Sequence, residues 1–308
     1  MIKSSLKSLF AFATLLAAVI ATQGSAQAQP TDTLKKIKDT AAVTVGVRES
    51  SGALSFTLGD GKYVGFHVEA CQRVLADIQK SLGLAKLDVK FQPVTSQNRI
   101  PLVQNGTVDI ECGSTTNNAT RQKDVAFAPT TYVEEVRIAA KANSGITSIG
   151  QLNGRKVATT TGTTSVQHLR KHERATGVNF DEVFGKDHAD SFLLLESGRA
   201  DAFVMDGQIL AGLISKSKAP ADYKIVGEVL SVEPIAIMYR KDDAAFKRAV
   251  DDSVRAMMSS GELAKLYDKW FVQAIPPSNT RVGLPVSDAT KAAWAAPNDK
   301  PMEDYAKK

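Results

Sequence analysis

Only two cysteines, four histidines and two tryptophans occur in the 308 residues. Two distant cysteines and the scattered His67, His168, His172 and His188 are too few for a structural zinc site, which takes four close ligands. No Ser-His-Asp or Cys-His spacing of the kind used in nucleophilic catalysis is evident, so no enzyme is expected. Charge of one sign is scarce too. The 38 basic and 33 acidic side chains leave a net charge of +5, and no basic cluster stands out before the tail, so nucleic acid is not implied. Past residue 20 no apolar run approaches the ~20 residues that cross a bilayer as a helix. With 43% hydrophobic and 23% charged residues, what is left is an ordinary globular composition with room for two domains.

What is present begins with "MIKSSLKSLFAFATLLAAVIATQGSAQAQP". Lys3 and Lys7 precede an apolar stretch from Leu9 to Ile20, and small residues lead to Ala26-Gln27-Ala28. A basic start, a short apolar middle and an A-x-A ending mark a signal peptide. Residues 1–28 are therefore expected to be cleaved on export to the periplasm. Removing 28 from 308 leaves 280 residues, and losing Lys3 and Lys7 lowers the net charge from +5 to +3. No cysteine follows the cleavage site, which argues against a lipid anchor. In an exported chain Cys71 and Cys112 fit either a disulfide or two buried thiols, and both readings stay open.

Further along, strand and helix patterns alternate. "VTVGV" (43–47) is a β-branched strand, and Val68, Cys71, Val74, Leu75 and Ile78 recur at helical spacing up to Gly83. "LDVKFQPV" alternates as a strand; a short helix around Ile100 to Gln104, an Asn105-Gly106 turn and another strand follow. The grammar restarts at "LNGRKVATTTGTTSVQHLRKH" (152–172) and "FDEVFGKDHADSFLLLESGRADAFVMD" (180–206). This predicts an α/β architecture with largely parallel sheets, in two lobes built alike. Phe246, Val250, Val254, Met257 and Met258, then Leu263, Leu266, Tyr267, Trp270 and Phe271, form core-facing helix stripes. "PNDKPMEDYAKK" (297–308) is expected to be a mobile end.

In such sheets ligands bind at the carboxyl edge. There stand the hydroxyls of "ECGSTTNNATR" (111–121), with Arg121 behind them. Backbone N–H groups at a helix start, hydroxyls beside them and a two-pronged guanidinium suit a carboxylate or phosphate. Ser96 and Arg99 follow the strand 87–94, and Arg48 follows "VTVGV". Thr163, Thr164, His188 and Asp206 occupy matching edges in the second half.

These residues resemble the periplasmic amino-acid-binding proteins of ABC importers, and among them the glutamate/aspartate-binding members. The likeness is carried by "RESS" (48–51), "TSQNRIPLVQNGT" (95–107), "ECGSTTNN" (111–118), "RQK" (121–123), "GTTS" (162–165), "KDHADSF" (186–192), "LESGRADAF" (195–203), "RKDD" (240–243) and "PNDK" (297–300). The resemblance implies a two-lobed type II binding fold: lobe one from 29–133 and 236–308, lobe two from 134–235, joined by two hinge crossings. It implies that Ser114, Thr116 and Arg121, with Thr163 or Thr164, grip an α-carboxylate and that Asp206 meets an α-ammonium. Arg48, Ser96, Arg99 and His188 would then select the side chain. L-Glutamate or L-aspartate would be the guest, a membrane permease the partner, and the protein a monomer without cofactor or metal. Gly207 stands where the family leads one to expect a second acidic residue.

Overall fold

The computed structural model describes residues 32–305; the expected signal peptide lies outside them. Ten strands build two five-stranded sheets. In chain order they are β1 (Ala42–Val47), β2 (Asp88–Pro93), β3 (Ile110–Glu111), β4 (Val125–Phe127), β5 (Tyr132–Lys141), β6 (Lys156–Thr160), β7 (Asp181–Gly185), β8 (Ala202–Asp206), β9 (Tyr223–Ile235) and β10 (Met238–Arg240). The first sheet has the order β2-β1-β3-β10-β4, with β1 parallel to β2 and β3 and β10 antiparallel to β3 and β4. The second has the order β7-β6-β8-β5-β9, parallel across β7, β6 and β8, with β5 antiparallel to β8 and β9.

The chain thus leaves the first sheet after β4, builds the second, and returns as β10 between two strands it had already laid down. The passages out and back run side by side: Tyr132 of β5 is paired with Ile235 of β9, and the pairing continues to Lys141 and Tyr223 with a break in register between Val226 and Ser231. Two crossings that share a ladder can bend together but cannot part without losing those bonds.

In the first lobe Val43, Val45 and Val47 of β1 pack with Phe66, Val74 and Ile78 of helix Phe66–Ser81. Helix Ala244–Ser259 adds Phe246, Val250 and Val254 to the same core. Helix Glu262–Tyr267 and the turn after it bring Tyr267 and Phe271 into a stack with Tyr132, the first residue of β5. The aromatic stripe seen in the sequence therefore supports the hinge. Trp294 joins it, donating its indole N–H to the Thr131 carbonyl at 2.7 Å.

Cys71 and Cys112 form a disulfide. The bond ties helix Phe66–Ser81 to the loop that leaves β3. With the cysteines 41 positions apart in the chain, restricting the unfolded chain contributes about 2–4 kcal/mol. His67, on the same helix, reinforces the tie. Its Nδ1–H donates to the Gly113 carbonyl at 2.5 Å, and its Nε2 accepts from the Thr131 hydroxyl at 2.6 Å. Burial pushes this imidazole down to about 4, so it is neutral at ordinary pH and keeps that donor–acceptor polarity.

The end of the chain departs from expectation. Residues 297–305 are not loose but lie across the hinge as a strap. Thr130 N–H donates to Asn298 O and Asn117 Nδ2 to Asp299 O, each at 2.9 Å. Lys247 pairs with Asp299 at 2.9 Å, and Tyr305 donates its hydroxyl to Thr130 Oγ1 at 3.1 Å. The polar composition suggested a solvated tail because it carries few apolar side chains. Its anchors are backbone carbonyls and charge pairs, which hydropathy does not register.

Candidate functional site

Every polar residue nominated from the sequence lies at the carboxyl edge of one of the two sheets, where the lobes face each other. All are buried, and the three arginines are almost wholly so: Arg48 is 0%, Arg99 2% and Arg121 7% exposed. They converge. Arg48 and Arg121 both act electrostatically on Arg99, and burial, reinforced by Arg121, pushes the Arg99 guanidinium well below its ordinary value.

Arg48 leaves the end of β1 and reaches across the cleft. Its Nη2 donates to Ser96 Oγ at 3.1 Å, to Asp187 Oδ1 at 2.7 Å and to His188 Nε2 at 3.2 Å. A guanidinium can only donate, so His188 Nε2 accepts and the ring proton sits on Nδ1, which faces Thr160 Oγ1 at 3.0 Å. Burial and then Arg48 push His188 down to about 3, which keeps it neutral. Burial opposes ionisation of Asp187, yet His188, Arg48 and the Ser50 hydroxyl outweigh it and lower that carboxyl to about 2. Asp187 was not singled out in the sequence, although it stands beside His188 in "KDHADSF".

Arg99 opens helix Arg99–Gln104. Its side chain makes no hydrogen bond among the described residues; Nε and Nη1 are fully buried without a partner, as are Nε and Nη1 of Arg48. Arg121 is more committed. Its Nη1 donates to Thr116 O at 2.9 Å and its Nη2 to Gly162 O in the second lobe at 3.3 Å.

The hydroxyl run differs from expectation. No helix starts at Ser114–Thr116; this stretch is extended, and Thr116 bridges to Ile235 at the end of β9. Asn117 N–H is spent on Pro234 O at 2.8 Å. Three consecutive hydroxyl residues suit an extended chain as well as a helix cap, and the adjoining crossing strand decides between them. Ser114 Oγ contacts Ser51 Oγ at 3.0 Å. Thr163 caps helix Thr164–Thr176 with its hydroxyl turned back to Thr160 O at 2.7 Å.

Three further acidic residues of the site, besides Asp187, went unread in the sequence. Glu233 on β9 accepts from Thr116 Oγ1 at 2.6 Å, Thr164 Oγ1 at 2.8 Å and His168 Nε2 at 2.6 Å. Glu111 accepts from Thr115 Oγ1 at 2.8 Å and acts on Arg99 and Arg121. Glu134 on β5 accepts the Glu135 N–H at 2.9 Å, and burial and then Asp206 push its carboxyl well up. A Cβ built on Gly207 would lie 3.6 Å from Glu134 Oε1. Asp206, at the end of β8, is raised to about 7 by burial and then by Glu233, against the pull of Arg99, Arg121 and Arg48.

The lobes meet closely around this cluster. Gln208 Oε1 accepts Ala53 N–H at 3.1 Å, and Lys216 Nζ stands 3.8 Å above the Phe56 ring. Gly162 packs so tightly that a Cβ there would lie 2.8 Å from the Ser96–Gln97 backbone. Among the described residues no group of three or more His, Cys, Asp or Glu side chains could hold a metal ion, and no helix is long and apolar enough to cross a membrane.

Residues 43–273 match the model of the bacterial extracellular solute-binding proteins, family 3. The "L-glutamate/L-aspartate-binding protein" of Pseudomonas aeruginosa is 44% identical over 275 residues, covering 89% of this chain and 91% of that protein. The "Glutamate/aspartate import solute-binding protein" of Escherichia coli is 42% identical over 295 residues, covering 94% of this chain and 98% of its own length. A solved structure of an ancestral arginine-binding protein bound to glutamine superposes with a TM-score of 0.66 at 30% identity, over 75% of this chain and 98% of that one.

Proposed function

The chain belongs to the bacterial extracellular solute-binding proteins of family 3, and from that premise we propose that it captures an acidic L-amino acid, glutamate or aspartate, between its lobes. The observation that carries the reading is the unpaired guanidinium of Arg99 beside the unpaired Nε and Nη1 of Arg48. Buried cationic donors in such numbers demand an anion, and a side-chain carboxylate satisfies them in the two-pronged geometry that guanidinium favours. A cationic or apolar side chain would leave them unpaired at a cost of several kcal/mol. The P. aeruginosa and E. coli relatives, whose names specify glutamate and aspartate, support the choice.

In this reading Arg48, Ser96, Arg99 and His188 hold the side-chain end, with neutral His188 fixing Arg48. Ser114, Arg121 and Thr163 receive the α-carboxylate. Thr116 and Thr164, whose hydroxyls belong to Glu233, contribute backbone N–H groups. Asp206 receives the α-ammonium. The ligand docks on the first lobe, which carries the arginines, and closure brings the second lobe over it. The signal peptide would place the protein in the periplasm, as a monomer that delivers its guest to the membrane subunits of an ABC importer.

Titration calorimetry against the twenty amino acids is the direct test. Saturable one-to-one binding of glutamate or aspartate is expected; binding of lysine but not glutamate would end the proposal. The same instrument checks Asp206. Below pH 7 the free protein holds a proton there, which the ammonium must displace. Affinity is therefore expected to fall as pH drops through 7, by up to about tenfold per unit, and to level off above it. Asp206→Asn should remove that slope along with most of the affinity.

A further inference from the structure

Glu233 lies outside the groups assigned to ligand contact, yet it is wholly buried and accepts three hydrogen bonds. Its donors come from both lobes. Thr116 follows β3 of the first sheet; Thr164 and His168 lie on helix Thr164–Thr176, which follows β6 of the second. The carboxylate rides on β9, one of the two crossing strands, directly opposite Glu134 in the ladder.

An acid directly opposite another acid is unfavourable in a sheet. Here the neighbours divide the charge. Burial opposes ionisation of Glu233, but His168, Thr116 and Thr164 outweigh it and keep its carboxyl below the usual range, while burial and then Asp206 push the Glu134 carboxyl well up. Asp206 and Arg121 also face Glu233, with opposite sign. Hydrogen bonds to a buried carboxylate are about twice as strong as those between neutral groups. All three can form together only when the lobes are shut, because Thr116 and Thr164 stand on opposite sides of the cleft.

We propose that Glu233 is the closure latch of this protein: a hinge-borne carboxylate that fastens Thr116 of the first lobe to Thr164 and His168 of the second. Glu233 is a positioning residue, acting on a bound guest through the lobes and not by touching it. The proposal rests on the functional reading above only where it links closure to capture. The shut state is biased by the protein's own carboxylate, and a ligand supplies the remainder of the shift.

The test is Glu233→Gln, which keeps volume and one acceptor but removes the charge. Small-angle scattering of the ligand-free protein should show a more open particle than wild type. Glutamate affinity should be roughly tenfold to a hundredfold weaker, with the loss in dissociation rate and not in association rate. His168→Gln, which retains a donor, should preserve closure, whereas His168→Ala should loosen it. Thr164→Val offers a milder cut, with partial opening expected, if Glu233→Gln fails to fold. Unchanged scattering and unchanged dissociation in Glu233→Gln would overturn the latch. So would lost affinity with full closure, since Glu233 would then be a ligand contact. If wild type binds no acidic amino acid the functional reading fails, while the ligand-free scattering still decides the latch.

Discussion

Arg99→Met should abolish capture of acidic amino acids while leaving the protein as stable as before, or more so. The two effects have one origin. Arg99 is 2% exposed, its guanidinium has no hydrogen-bond partner in the protein among the described residues, and burial opposes its charge. Such a group burdens the free fold, and methionine fills similar volume without the desolvation cost. In the complex the same substitution would leave a buried carboxylate with Arg48 as its one remaining cationic partner at the side-chain end. Losing one partner of a buried charge pair weakens binding by roughly a hundredfold to a thousandfold or more. Calorimetry with glutamate and a thermal melt of the ligand-free protein make the check. A variant that still bound glutamate within about tenfold of wild type would show that Arg99 is structural.

Gly162→Val should block closure without replacing any side chain that contacts the guest. Gly162 begins "GTTS" with φ of +83°, and the second lobe sets it against the Ser96–Gln97 backbone of the first. A Cβ at 2.8 Å from main-chain atoms cannot be absorbed by rotating a side chain, so the lobes must stay apart. The positive φ adds a strain of about 1–2 kcal/mol for a β-branched residue. Because the ligand would hold only one lobe's contacts, affinity should drop at least roughly a hundredfold, while the melting temperature falls by only a few degrees. Scattering under saturating glutamate should show wild type contracting and the variant not. Contraction of the variant to the wild-type size would refute the steric argument.

Much of this architecture was legible because it rests on periodicity. β-Branched runs ending in polar residues marked β1 and β6, alternation marked β2, and the 3.6-residue stripes from Phe246 to Phe271 marked the helices that pack beneath the hinge. Arg48, Arg99 and Arg121 were visible as repeated basic groups at equivalent strand ends, where one surface arginine alone would have meant little. Glu233 and Glu134 were not visible. An acid inside a long strand looks like a solvent-facing residue, and only the pairing of β5 with β9 beneath the cleft buries both. The strand conformation of Ser114–Thr116 was hidden for the same reason: its partner, Ile235, lies 119 residues further along, counting from 116 to 235. Local pattern carries the elements, and long-range pairing decides which polar side chains become interior.

Trp294 gives the fold a practical use. Of the two indoles in the chain, Trp270 is held by Glu69 inside the first lobe at 3.0 Å, whereas Trp294 is fastened to the carbonyl that immediately precedes the first crossing strand. Flexing at Thr131 should change the polarity around this natural chromophore, so ultraviolet emission measured during a ligand titration is expected to gauge the bending without a dye or a label.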